Sequence, residues 1–152
     1  MIKEKFEELK KQDIFIKEKN KGYLFLVFLI TDANLNIEQI DFSFLKNNIS
    51  TSFSFRDNCW IKIKNKEERN FKKINLDVDI EKIYKKISSM LRDRNLFVNK
   101  YIFIFQNLDG KQIINVTCLC KDFYVLKIVF DSKDFSLIEE KIYNLLDFFK
   151  VG

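Results

Sequence analysis

Hydrophobic and polar residues alternate along most of this chain with the period of a β-strand. Three stretches repeat with the period of a helix instead. Tyr101-Ile102-Phe103-Ile104-Phe105 is an unbroken apolar run, followed by Asn107-Leu108-Asp109-Gly110. An Asp-Gly step between apolar runs is a strong hairpin signal. Ile113 to Cys120 makes the next run, Lys121-Asp122 a polar break, and Phe123 to Phe130 a third run. Two turns this short join antiparallel neighbours, because parallel ones need crossovers of about a dozen residues or more.

Upstream, Tyr23 to Ile30 reads as a strand buried on both faces, ended by Thr31-Asp32-Ala33-Asn34. Ile40, Phe42 and Phe44 alternate with Asp41 and Ser43. After Asn47-Asn48, Ile49, Thr51, Phe53 and Phe55 alternate with Ser50, Ser52 and Ser54, predicting an outer face rich in hydroxyls. Arg56-Asp57-Asn58 turns the chain into Cys59, Ile61 and Ile63, which face opposite to Trp60, Lys62 and Lys64. Lys62 to Lys73 reads as a charged loop.

Three stretches carry helical spacing. Ile2, Phe6 and Leu9 predict a short N-terminal helix, which Ile14-Phe15-Ile16 either extends or leaves for a strand. Ile80, Ile83, Tyr84, Ile87 and Leu91 form the clearest stripe, with Asp79 placed to cap it and Glu81 near the positive end of its dipole. Ser136 and Glu139 match an S-x-x-E capping box before Ile138, Ile142, Leu145 and Phe149, predicting a final helix packed on the preceding strands. The expected fold is one α+β domain over residues 1–152. Its antiparallel sheet has two meander segments and three helices, in the order α-βββ(β)-α-βββ-α. In element order it resembles the small secretion-chaperone fold and the PsbP-type fold. That likeness of architecture carries no functional residue across.

Composition narrows the function. The chain has 17 phenylalanines, three glycines, and neither proline nor histidine. Phe, Ile, Lys and Asn in excess fit an AT-rich genome, so abundant phenylalanine is not a ligand signal. Without histidine, Ser-His-Asp and Cys-His nucleophiles, the usual zinc ligand and the commonest general base are all missing. The pairs Glu67–Glu68, Asp77–Asp79 and Glu139–Glu140 lie in a lysine-rich loop or at expected helix starts, where structural roles suffice. No nucleotide, calcium or phosphate loop is present. The expectation is therefore no enzyme, no cofactor and no metal. Cys118 and Cys120 share a strand face and are expected to be buried, reduced thiols, as is usual for cysteines in a chain with no secretory signal. The charged N-terminus leads into no signal-like segment, and Tyr23 to Ile30 is about half a bilayer span. A cytoplasmic protein without a membrane span is expected.

Charge is unevenly placed. Residues 56–100 hold thirteen Lys/Arg against seven Asp/Glu, a net of +6 in a chain of +5. Trp60, Lys62, Lys64, Lys66, Arg69, Lys72 and Lys73 adjoin one another, and Lys82, Lys85, Lys86 and Arg92 lie opposite the apolar helix stripe. Together they are the candidate residues for contact with a protein partner or with nucleic acid, where phosphate contacts and one aromatic platform would cooperate. The leading expectation is a non-catalytic protein-binding module of adaptor, chaperone or inhibitor (immunity) type. The alternative is a nucleic-acid-binding protein using the basic surface of residues 56–100.

Overall fold

The computed structural model describes residues 1–68 and 71–149. Its elements are α1 (Ile2–Lys10), α2 (Asp13–Ile16), β1 (Tyr23–Asp32), β2 (Ile37–Lys46), β3 (Ile49–Arg56) and β4 (Cys59–Glu67). Then come α3 (Ile80–Asp93), β5 (Val98–Leu108), β6 (Lys111–Cys120), β7 (Tyr124–Asp131) and β8 (Leu137–Asn144). All eight strands form one antiparallel sheet in the order β4-β3-β2-β1-β5-β6-β7-β8. A helical segment followed by a four-stranded meander thus occurs twice. β1 joins the two meanders by pairing with β5, Val27 opposite Phe105 and Leu29 opposite Phe103.

Local chemistry accounts for the hairpins. Asn47–Asn48, Asp57–Asn58 and Asp109–Gly110 are two-residue turns with positive φ at both positions (52° and 63°, 53° and 57°, 54° and 85°). Asn, Asp and Gly tolerate this left-handed backbone, and such turns match the twist of the strands they join. The longer β1–β2 turn is held by Asp32, whose Oδ1 accepts from the backbone N–H of Asn34 and Asn36, both at 2.9 Å. On α3, Asp79 Oδ1 accepts from the N–H of Glu81 and Lys82 at 3.1 and 3.3 Å, as its capping position predicts.

Both helical layers cover the same sheet face. Phe6 of α1 lies against Phe42, and Phe15 of α2 meets Phe53 edge-on, with ring centroids 5.3 Å apart in each pair. Ile80, Ile83, Ile87 and Leu91 of α3 are buried, and Tyr84 meets Tyr101 edge-on at 5.9 Å. On the opposite face Leu26, Phe28, Ile30, Ile102 and Ile104 are half-buried, and no helix covers them among the described residues. β1 is therefore fully buried on one face only, not on both.

Three further expectations change. Residues 62–67, read as loop, continue β4 and pair with β3 across one register shift between Ser50 and Ser52. The hydroxyls of the β3 outer face are not open to water: Ser50 and Ser54 are buried, and Ser52 Oγ shares a 2.6 Å hydrogen bond with Ser43 Oγ. Most consequentially, the predicted C-terminal helix is β8, followed by a 3-10 turn over Leu145–Phe149. The third helix is instead the short α2. Ser136 is no helix cap: its N–H goes to Asp134 Oδ1 at 2.9 Å, and its carbonyl accepts from Asp131 N at 2.9 Å, closing the β7–β8 turn. Ile138 and Ile142 are four apart, a spacing that shares one side of a helix and equally one face of a strand. The free edge of β7 decides between the two by pairing from Tyr124–Asn144 to Phe130–Leu137.

Two predictions follow from the packing. Gly22 has φ +77°, and a Cβ there would lie 2.0 Å from the Leu45 carbonyl oxygen. Gly22→Ala should lower the urea midpoint at unchanged m, by more than about 2 kcal/mol. Cys118 and Cys120 are buried while Cys59 is exposed. Burial pushes the Cys118 and Cys120 thiols up, away from the reactive thiolate. A colorimetric disulfide reagent at mildly alkaline pH should therefore modify Cys59 alone in the native protein, and all three thiols in denaturant.

Candidate docking edge

The basic candidate residues fall into separate groups. Lys62, Lys64 and Lys66 lie on β4, an outer strand of the sheet. Lys82, Lys85, Lys86 and Arg92 share the exposed side of α3. That helix packs on the other half of the sheet, where Lys86 Nζ donates to the Phe135 carbonyl at 2.6 Å. Strands β3, β2 and β1 separate β4 from β5. Lys72 and Lys73 are exposed in the segment before α3, with Lys72 reaching the Asp109-Gly110 turn. Arg69 lies outside the described residues.

Trp60 is not a free stacking platform. Its ring packs on Phe55 and Phe42, with centroids at 5.1 and 6.3 Å, and its Nε1 donates to Glu8 Oε1 of α1 at 3.2 Å. Glu8 also accepts from Lys5 Nζ at 3.1 Å. Burial alone would raise the Glu8 carboxyl, and the Lys5 and Trp60 donors hold it below its usual range. Lys62, on the same face of β4 as Trp60, forms an ion pair with Glu18 just after α2. The aromatic ring and its neighbouring lysine thus tie the first helical layer to the sheet edge.

A groove of about 780 Å³ opens between α1, the start of β1 and the Lys73–Leu76 segment. Its polar groups are already engaged. Asn75 N–H donates to Gln112 Oε1, and Gln112 Nε2 returns a bond to the Asn75 carbonyl, both at 2.8 Å. Lys73 is its single charged group, so nothing there pairs an acid with a base. No cluster of three or more Cys, Asp or Glu suited to a metal occurs among the described residues.

The surface that stands apart is β8. Its partner strand β7 buries Leu126, Ile128 and Phe130 on the helix-covered face. Ile142 and Glu140 sit opposite Leu126 and Ile128, so they share that face. Ile138 is 46% exposed and Ile142 45%. Beside them a cavity of about 490 Å³ is lined by the exit of α3 (Arg94 to Phe97), by Lys121, Asp122 and Tyr124, and by Ile142. Phe97 (68% exposed), Phe123 (57%) and Phe148 (70%) flank this end of the molecule. Arg94 forms an ion pair with Glu140, fixing the α3 exit to the middle of β8. Reading residues 136–149 as a helix hid this edge; the β-branched Ile138 and Ile142 beside Tyr143 were the sequence signal for a strand.

The fold itself has a counterpart. The chain is similar to a solved structure described as a "putative lipoprotein" from Clostridium difficile. The two share 14% identity and a TM-score of 0.60, over 93% of this chain and 92% of that one. At this identity the likeness concerns the fold alone. No family model matches the chain, and no curated protein matches it. Among the described residues, no helix is long and apolar enough to cross a membrane.

The tie between α1 and β4 can be measured. Trp60→Phe keeps a ring against Phe55 and Phe42 and removes the donor to Glu8. It should cost about 1 kcal/mol in chemical denaturation. The same substitution in a Glu8→Gln background should cost less.

Proposed function

We propose that this protein is a non-catalytic protein-binding module, of adaptor, chaperone or inhibitor type, that docks its partner on the β8 edge. One observation carries the reading: an outer strand that bears exposed isoleucines and borders a cavity with both apolar and charged walls. Outer strands present unpaired N–H and C=O groups, and proteins ordinarily guard them with lysines. β4 has Lys62, Lys64 and Lys66 in its sequence, whereas the β8 residues paired with the buried Phe130, Ile128 and Leu126 are Leu137, Glu140 and Ile142, with Ile138 the extra residue of a bulge between them. An extended partner segment could add a strand to β8, gaining main-chain hydrogen bonds while its alternate side chains enter the groove between Phe97, Tyr124 and Ile142.

The test compares partner capture from the native host by the wild type and by Ile142→Lys, followed by calorimetry on a captured partner. Ile142→Lys should weaken that complex at least about tenfold, equivalent to 1.4 kcal/mol. The triple reversal Lys82→Glu, Lys85→Glu, Lys86→Glu should leave it nearly unchanged at physiological salt, because exposed charges chiefly steer association. A partner insensitive to Ile142→Lys would refute the docking edge. Salt-dependent retention on a polynucleotide column, abolished by the triple reversal, would favour the nucleic-acid reading instead.

A further inference from the structure

We infer that β8 pairs with β8 of a second copy, antiparallel about a two-fold axis, joining two eight-stranded sheets edge to edge. The inference rests on the reading of β8 as a docking edge and names its occupant. The strand reads Ile138-Glu139-Glu140-Lys141-Ile142, which is self-complementary about Glu140. Antiparallel pairing centred there sets Glu139 opposite Lys141 of the second copy, and brings Ile138, the extra residue of the bulge against β7, opposite Ile142 of the second copy. The two-fold axis repeats each match.

The surroundings of β8 favour this register. Lys141 already faces a like charge, because Lys127 of β7 lies directly opposite it and both are exposed. It forms an ion pair with Glu139 of its own strand, at 3.0 Å. A second copy brings another carboxylate to each Lys141, and like charges opposed across strands are otherwise destabilising. The axis itself would bring the two Glu140 side chains together. Each arrives already paired with its own Arg94, so two ion pairs meet there rather than two bare carboxylates. The exposed isoleucines would bury each other. The sequence of the opposite edge, Ile61-Lys62-Ile63-Lys64, offers no such pairing of opposite charges. An isologous contact of this kind closes on itself as a dimer.

Sedimentation of the full chain from low-micromolar to near-millimolar concentration should show a reversible monomer–dimer equilibrium. Glu139→Lys alone opposes lysine to lysine at both symmetric positions, and Lys141→Glu alone opposes glutamate to glutamate. Each should be monomeric over that range while melting like the wild type, because both side chains are exposed. Mixed in equal amounts, the two variants should form a heterodimer of about wild-type affinity, since both 139–141 pairs are then opposite in sign. The intrachain Glu139–Lys141 contact cannot produce that rescue. A monomeric wild type, self-association indifferent to the single variants, a mixture that stays monomeric, or growth beyond a dimer would each overturn the inference. A monomeric wild type whose captured partner still depends on Ile142 would do so while leaving the docking edge intact.

Discussion

The antiparallel ladder between β1 and β5 is the constraint on which the molecule depends. Val27 and Leu29 on one side, with Phe105 and Phe103 on the other, are all essentially inaccessible to solvent at the sheet centre. Fully burying side chains of this size contributes about 1.5–3 kcal/mol each. Either meander alone would leave this row open along one flank. Because paired residues share a face, the ladder also aligns the two apolar surfaces, so that α1, α2 and α3 build one layer over one core. The pairing is reached only after the chain has passed through β2, β3, β4 and α3.

Joining the meanders at their first strands also decides which strands lie outermost. β4 and β8 become the edges because each is the last strand of its meander. The two are finished differently. On β4, Trp60 and Lys62 are bound by Glu8 and Glu18 of the first helical segment. β8 receives less cover. Its 14 residues make α3 about 21 Å long, and the helix packs on the strands next to the sheet centre. Arg94, just past its end, forms an ion pair with Glu140 of β8. The incomplete helical layer on this half of the sheet is what leaves isoleucines exposed on an outer strand.

Most local structure was legible in the residues. The Asp-Gly and Asn-Asn turns, the Asp79 cap, the stripe on α3 and the alternation in β2, β3, β5, β6 and β7 rest on interactions between near neighbours. The C-terminal stretch failed for a definable reason. Isoleucines four apart satisfy both helical and strand periodicity, and the apparent Ser136–Glu139 box competes with a turn in which Asp131 and Asp134 take the N–H groups of Lys133 and Ser136. The misreading of residues 62–67 is of the same kind. Their lysines resemble a solvated loop, yet on an outer strand they can point to water while the backbone stays in the ladder.

The sequence by itself determined an α+β domain of antiparallel strands, because turn chemistry and side-chain periodicity act over a few residues. It also excluded histidine-based chemistry by composition. Tertiary structure decided that two meanders make one sheet, that Trp60 is a packing residue, and that the basic residues of β4 and α3 stand on different halves of the molecule. It alone revealed the edge at β8. These outcomes depend on which distant strands meet and on how far a helix reaches across them, quantities that no short window of residues encodes.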